Sequence, residues 1–90
     1  MENEMNEKFT PAPWFVYGHG VKNRATEKFV AYTELDPDNA TEGYANAALI
    51  AAAPEMYEML SKLSMQLTAI NAHKAVNDIE QLLAKARGEV

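Results

Sequence analysis

Cysteine is absent from the 90 residues, which excludes disulfides and thiolate metal sites. The stapled framework of a tiny secreted domain is therefore not available, and a reducing cytoplasm is the expected setting. Long apolar runs are also missing. The longest, residues 45–53, has Asn46 inside it and falls far short of the roughly 20 residues that cross a bilayer. Positive charge is scarce: eight Lys and Arg stand against thirteen Asp and Glu, for a net charge of −5. General attraction to nucleic acid is disfavoured, because neutralising phosphates needs a basic face. The first eight residues, net −2, lack the basic and apolar regions of a signal peptide, so export is not expected.

What is present describes a globular chain, with 48% hydrophobic and 23% charged residues. Residues 1–8 read as a flexible acidic tail and residues 9–90 as one domain. A chain this short buries only a little over roughly 60% of its unfolded surface. A second subunit is one way to cover the remaining apolar surface, and a homodimer is expected. Charge is segregated, with +2 over residues 21–28 and −4 over residues 34–42.

The order of elements predicts an α+β fold, a short antiparallel hairpin of two to three strands against two or three helices. Pro11 and Pro13 forbid a helix and favour an extended lead. Trp14-Phe15-Val16-Tyr17 and Lys28-Phe29-Val30-Ala31-Tyr32-Thr33 have strand composition. Gly18-His19-Gly20 and Lys22-Asn23-Arg24 between them read as a long, basic hairpin tip. Trp14 and Val16 share one strand face and Phe15 and Tyr17 the other, so at least one apolar face should be covered by helix. Asn39 three residues before Glu42 resembles a capping box, placing the start of a first helix near 39–41. Pro54 ends it and opens a second. Met56, Met59, Leu60, Leu63, Leu67 and Ile70 form a stripe on that second helix. A third, roughly 72–87, has Asn71 as cap and Gly88 as stop. Residues 55–87 read as an antiparallel pair or as one long helix.

Two segments, Phe9-Thr10-Pro11-Ala12-Pro13-Trp14 and Ala45-Asn46-Ala47-Ala48-Leu49-Ile50-Ala51-Ala52-Ala53-Pro54-Glu55-Met56, resemble a paired signature of small uncharacterised bacteriophage and prophage proteins. That signature is a T-P-x-P-W opening followed by A-N-A-x-L-I-A-A-A-P-E on a helix. The chain departs from it with Ala12 where glycine is usual and Ala48 where arginine is usual. The resemblance implies an accessory phage product in the host bacterial cytoplasm that blunts a host defence or redirects a host machine.

No residue pattern points to catalysis, and the expectation is a protein that is not an enzyme. His19 and His73 have no metal-ligand spacing, and Gly18-His19-Gly20 lacks the third glycine and following helix of a dinucleotide loop. Counted from Asp36, an EF-hand would need glycine and a carboxylate where Thr41 and Ala47 stand. Ser61 and Ser64 lie in a helical pattern without a nucleophile elbow. Glu58 and Lys62 read as a surface ion pair, and Met56, Met59 and Met65 as core filling more than as a binding surface. No cofactor and no metal are expected. Two surfaces remain. The acidic Glu34, Asp36, Asp38 and Glu42 are expected to meet a host or defence protein. The alternative is a nucleic-acid-associated regulator that uses Lys22, Arg24 and Lys28 at the hairpin tip.

Overall fold

The computed structural model describes residues 8–89, so the acidic tail expected over residues 1–8 lies, but for Lys8, outside the described residues. The fold is α+β: strands β1 (Trp14–Tyr17), β2 (Gly20–Asn23) and β3 (Phe29–Tyr32) precede helices α1 (Ala40–Ala51), α2 (Ala53–Ala69) and α3 (His73–Ala86). Two compact units divide it, one of residues 10–56 and one of residues 57–89 with Lys8 and Phe9.

In the first unit the strands form an antiparallel sheet in the order β1-β2-β3. The expected long tip is corrected here, because its glycine, valine, lysine and asparagine form the central strand. Tyr17 pairs with Gly20, so only Gly18 and His19 turn between β1 and β2. Gly18 has a positive φ of 67°, as the first position of a type II′ turn requires. Polar β2 is a strand because its neighbours complete its backbone hydrogen bonds on both sides, a gain that composition does not reveal.

Asn23 then organises the second turn. Its Oδ1 accepts from the Thr26 N–H at 2.9 Å, and its Nδ2 donates to the Pro11 carbonyl at 2.6 Å. One buried side chain thus satisfies the β2–β3 turn and ties down the proline-rich lead. Lys22 lies within β2, while Arg24 and Lys28 flank this shorter turn.

Helix α1 covers one face of the sheet. Val21 pairs with Ala31 and Lys22 with Phe29, leaving Val30 as the extra residue of a bulge. Val21, Ala47 and Ala51 form the buried cluster, with Trp14, Val30 and Ile50 packed against it. Alanine at 47 and 51 permits this close approach. The capping box is corrected: Asn39 caps α1 without a side-chain bond to the backbone. The Asn39 and Glu42 N–H groups donate to the Asp36 and Asn39 carbonyls, and the two side chains meet each other, Asn39 Nδ2 donating to Glu42 Oε1 at 3.4 Å. Pro54 sits buried in the first turn of α2, where its missing N–H costs nothing.

In the second unit α2 and α3 are separate helices running antiparallel. The Arg87 guanidinium donates to the Tyr57 hydroxyl at 3.0 Å, and the Ser64 hydroxyl to Glu80 Oε2 at 2.5 Å. Asn71 is not the cap of α3; it takes a left-handed φ of 62° in the connection, and Ala72 is the N-cap. Gly88, at φ 80°, stops α3 as expected. Glu89 N–H reaches Ala84 O and Gly88 N–H reaches Lys85 O, the paired bonds of a Schellman ending.

The predicted α2 stripe is rotated. Tyr57, Leu60, Ser61, Ser64 and Leu67 form the covered side, whereas Met56, Met59, Leu63, Met65 and Ile70 are exposed. The methionines are therefore not core filling. Periodicity finds a broad apolar arc but not which half of it meets the neighbouring helix, and here the Tyr57 and Ser64 hydrogen bonds mark that half.

Candidate functional site

The segment joining β3 to α1 is folded on itself by short polar bonds. Asp36 Oδ1 accepts from the Asp38 N–H at 2.9 Å, and the Asp36 carbonyl accepts from the Asn39 N–H at 2.9 Å. Thr33 anchors its start. The Thr33 N–H donates to the His19 carbonyl at 2.8 Å, and its hydroxyl lies 2.7 Å from the Gly43 carbonyl. With His19 O already served by that N–H, the single hydroxyl proton is best used on Gly43, which draws α1 against the strand end.

This arrangement leaves a recess of about 440 Å³ whose lining includes Glu34, Asp36, Asn39, Glu42 and Asn46. Three of the four carboxylates predicted as a site are thus brought together. Asp38 is not in the lining, because its N–H turns back onto Asp36. Among the described residues no Lys or Arg forms an ion pair with any of the four; the ion pairs are Lys62–Glu58, Lys74–Asp78 and Arg87–Glu89. The recess is an acidic cavity to which none of the described residues supplies a counter-ion.

A second surface lies on the sheet face opposite α1. Alternation along β1 and its register with β2 put Phe15, Tyr17, Gly20 and Lys22 on that face, and Tyr32 and Phe29 pair opposite Gly20 and Lys22. The rings touch in series. Phe29 stacks on Tyr32 with centroids 4.4 Å apart, and Tyr17 meets Phe29 edge-on at 6.1 Å. The Lys22 ammonium stands 3.8 Å over the Tyr17 centroid and 4.9 Å from that of Phe29, and the Arg24 guanidinium lies 4.5 Å over Phe15. His19 borders Tyr32 and donates through Nδ1 to the Thr33 carbonyl at 2.6 Å. A carbonyl only accepts, so this bond fixes the proton on Nδ1.

That Phe29 and Tyr32 join Phe15 and Tyr17 on one face was not predicted, although the two-residue alternation of β1 held half the signal. The other half needed β2, which the composition conceals. Elsewhere, Ser64 is buried and committed to Glu80, and Glu58 and Lys62 form the expected exposed pair at 4.0 Å. Among the described residues no group of three or more His, Asp or Glu side chains gathers to hold a metal ion, and no helix is long and apolar enough to cross a membrane.

A family model described as Salmonella phage P22 protein Y8K6 matches residues 5–90. The chain belongs to that family. The match agrees with the phage origin expected from the sequence, and it spans both the acidic recess and the aromatic sheet face of this Y8K6-family protein. Neither a curated protein nor a solved structure matches the chain.

Proposed function

We propose that this protein is a non-enzymatic phage accessory factor that binds a host or anti-phage defence protein in the bacterial cytoplasm and inhibits or modulates it. The recess carries this reading. Glu34, Asp36 and Glu42 line one open cavity with no cation of the described chain paired to them, so a Lys or Arg side chain offered by a partner is its complement. Asn39 and Asn46 supply further polar contacts for such a head group. The test is capture of a partner from host lysate by the intact chain and by the double variant Glu34→Lys/Glu42→Lys, with Asp38→Lys as a charge control outside the lining. The double variant should lose the partner while Asp38→Lys retains it; equal capture by all three would refute the recess as the contact.

A second reading, a nucleic-acid-associated regulator, is favoured by a different observation. Lys22 and Arg24 each lie over an aromatic ring on the uncovered sheet face. The net acidity of the chain does not oppose it locally, since residues 21–28 carry +2.

A further inference from the structure

We infer that the open face of the sheet is a stacking platform for single-stranded nucleic acid, a proposal that rests on the second reading above. Tyr17, Phe29 and Tyr32 remain 57%, 42% and 66% exposed although they neighbour one another on one face. Scattered apolar side chains on a surface are ordinary, but a contiguous aromatic row with cations set into it is a binding surface in composition. Its chemistry selects the occupant. Nucleobases present flat π faces that stack on Tyr and Phe, and the phosphates between them require cations within reach of the rings.

Lys22 stands among those rings and Arg24 beside Phe15, and with Lys28 they are the cations of this part of the sheet. Among the described residues no carboxylate forms an ion pair with any of the three; the ion pairs formed all lie within residues 58–89. The cation–π contacts hold Lys22 and Arg24 on the platform without neutralising them, which leaves both charges available to phosphate. A duplex buries its base faces in its own stack and cannot use the rings. A single strand exposes them.

The experiment uses the intact chain and fluorescence anisotropy with labelled oligothymidylate and oligouridylate of about 12 nucleotides, alongside a duplex of equal length. Both single strands should bind, with the duplex about tenfold weaker or worse. Tyr17→Leu and Tyr32→Leu should each weaken single-strand binding about tenfold, whereas Tyr32→Phe, which keeps the ring, should retain it. Lys22→Gln should weaken binding and flatten its dependence on salt. Thermal melts of each variant establish that it is folded, and the Tyr32→Phe comparison separates ring chemistry from loss of structure.

No binding to any of the three nucleic acids at about 50 mM salt would overturn both the platform and the second reading. Equal affinity for duplex and single strand, unchanged by the leucine variants, would overturn the platform alone and leave phosphate contacts by the cations. A dimer dispersed by Tyr32→Leu would show that a second copy occupies the face, and would overturn it too.

Discussion

Phe29 lies across Gly20 on the uncovered face of the sheet: a Cβ on Gly20 would come 2.6 Å from Phe29 Cε1 and 3.3 Å from the Ala31 carbonyl. The missing side chain in β2 is what lets the Phe29 ring settle between Tyr17 and Tyr32. Gly20→Ala therefore displaces the ring sooner than the paired backbone, because a side-chain torsion yields more easily than a ladder of hydrogen bonds. We expect stability to change by no more than about 1 kcal/mol in thermal or denaturant unfolding, because the half-exposed ring can swing away and alanine suits a strand interior better than glycine. In NMR spectra the mutual ring-current shifts of Phe29 and Tyr32 should collapse. Spectra that keep those shifts would show that Gly20 does not seat the ring.

Gly43 presents the opposite case, since its neighbour is main chain. A Cβ there would lie 2.6 Å from the Glu34 carbonyl oxygen and close upon Leu35 Cδ2. Replacing glycine by alanine inside a helix ordinarily stabilises by roughly 0.5–1 kcal/mol. At this position the steric conflict with the backbone should outweigh that gain. Gly43→Ala is expected to destabilise by about 1–3 kcal/mol, the range for forcing extra volume into a packed contact, and to loosen the Thr33 hydroxyl bond to the Gly43 carbonyl. A rise in melting temperature would contradict this.

Arg87 and Glu89 give a dependence on acid. The guanidinium donates to both Glu89 oxygens, at 3.0 and 3.2 Å, and this hydrogen bonding holds the Glu89 carboxyl below the ordinary carboxylate range despite some loss of hydration, with further help from the Arg87 and Lys8 charges. The folded value lies below the unfolded one, so the stabilisation is present above the unfolded value and is lost as pH falls through the folded value. The melting temperature of the natural chain should exceed that of Glu89→Gln near neutrality and converge with it in acid. High salt should shrink the difference as well, because the pair is solvent-accessible. A gap that persists in acid would place its origin outside this carboxylate.

Much of the fold was legible because local rules and tertiary packing agree there. Trp14-Phe15-Val16-Tyr17 and Phe29-Val30-Ala31-Tyr32 have side chains that suit a pleated sheet. Pro54 and Gly88 mark helix ends through constraints that act within a few residues. The clustering of Glu34, Asp36 and Glu42 could be anticipated because they lie in a nine-residue stretch. Asp38 could not be separated from them, since its absence from the lining depends on the turn that returns its N–H to Asp36.

The chain by itself thus determined its two outer strands and its helical segments, the break at Pro54, the segregation of its charges and the lack of any thiol chemistry, all properties of nearby residues or of composition. Tertiary structure alone decided that Gly-Val-Lys-Asn is a central strand and that Lys22 stands among aromatic rings. It also decided that α2 turns Tyr57 and Ser64, not Met59 and Leu63, toward its neighbour. Those outcomes depend on hydrogen bonds and contacts between residues far apart in sequence, and neither propensity nor periodicity carries information about them.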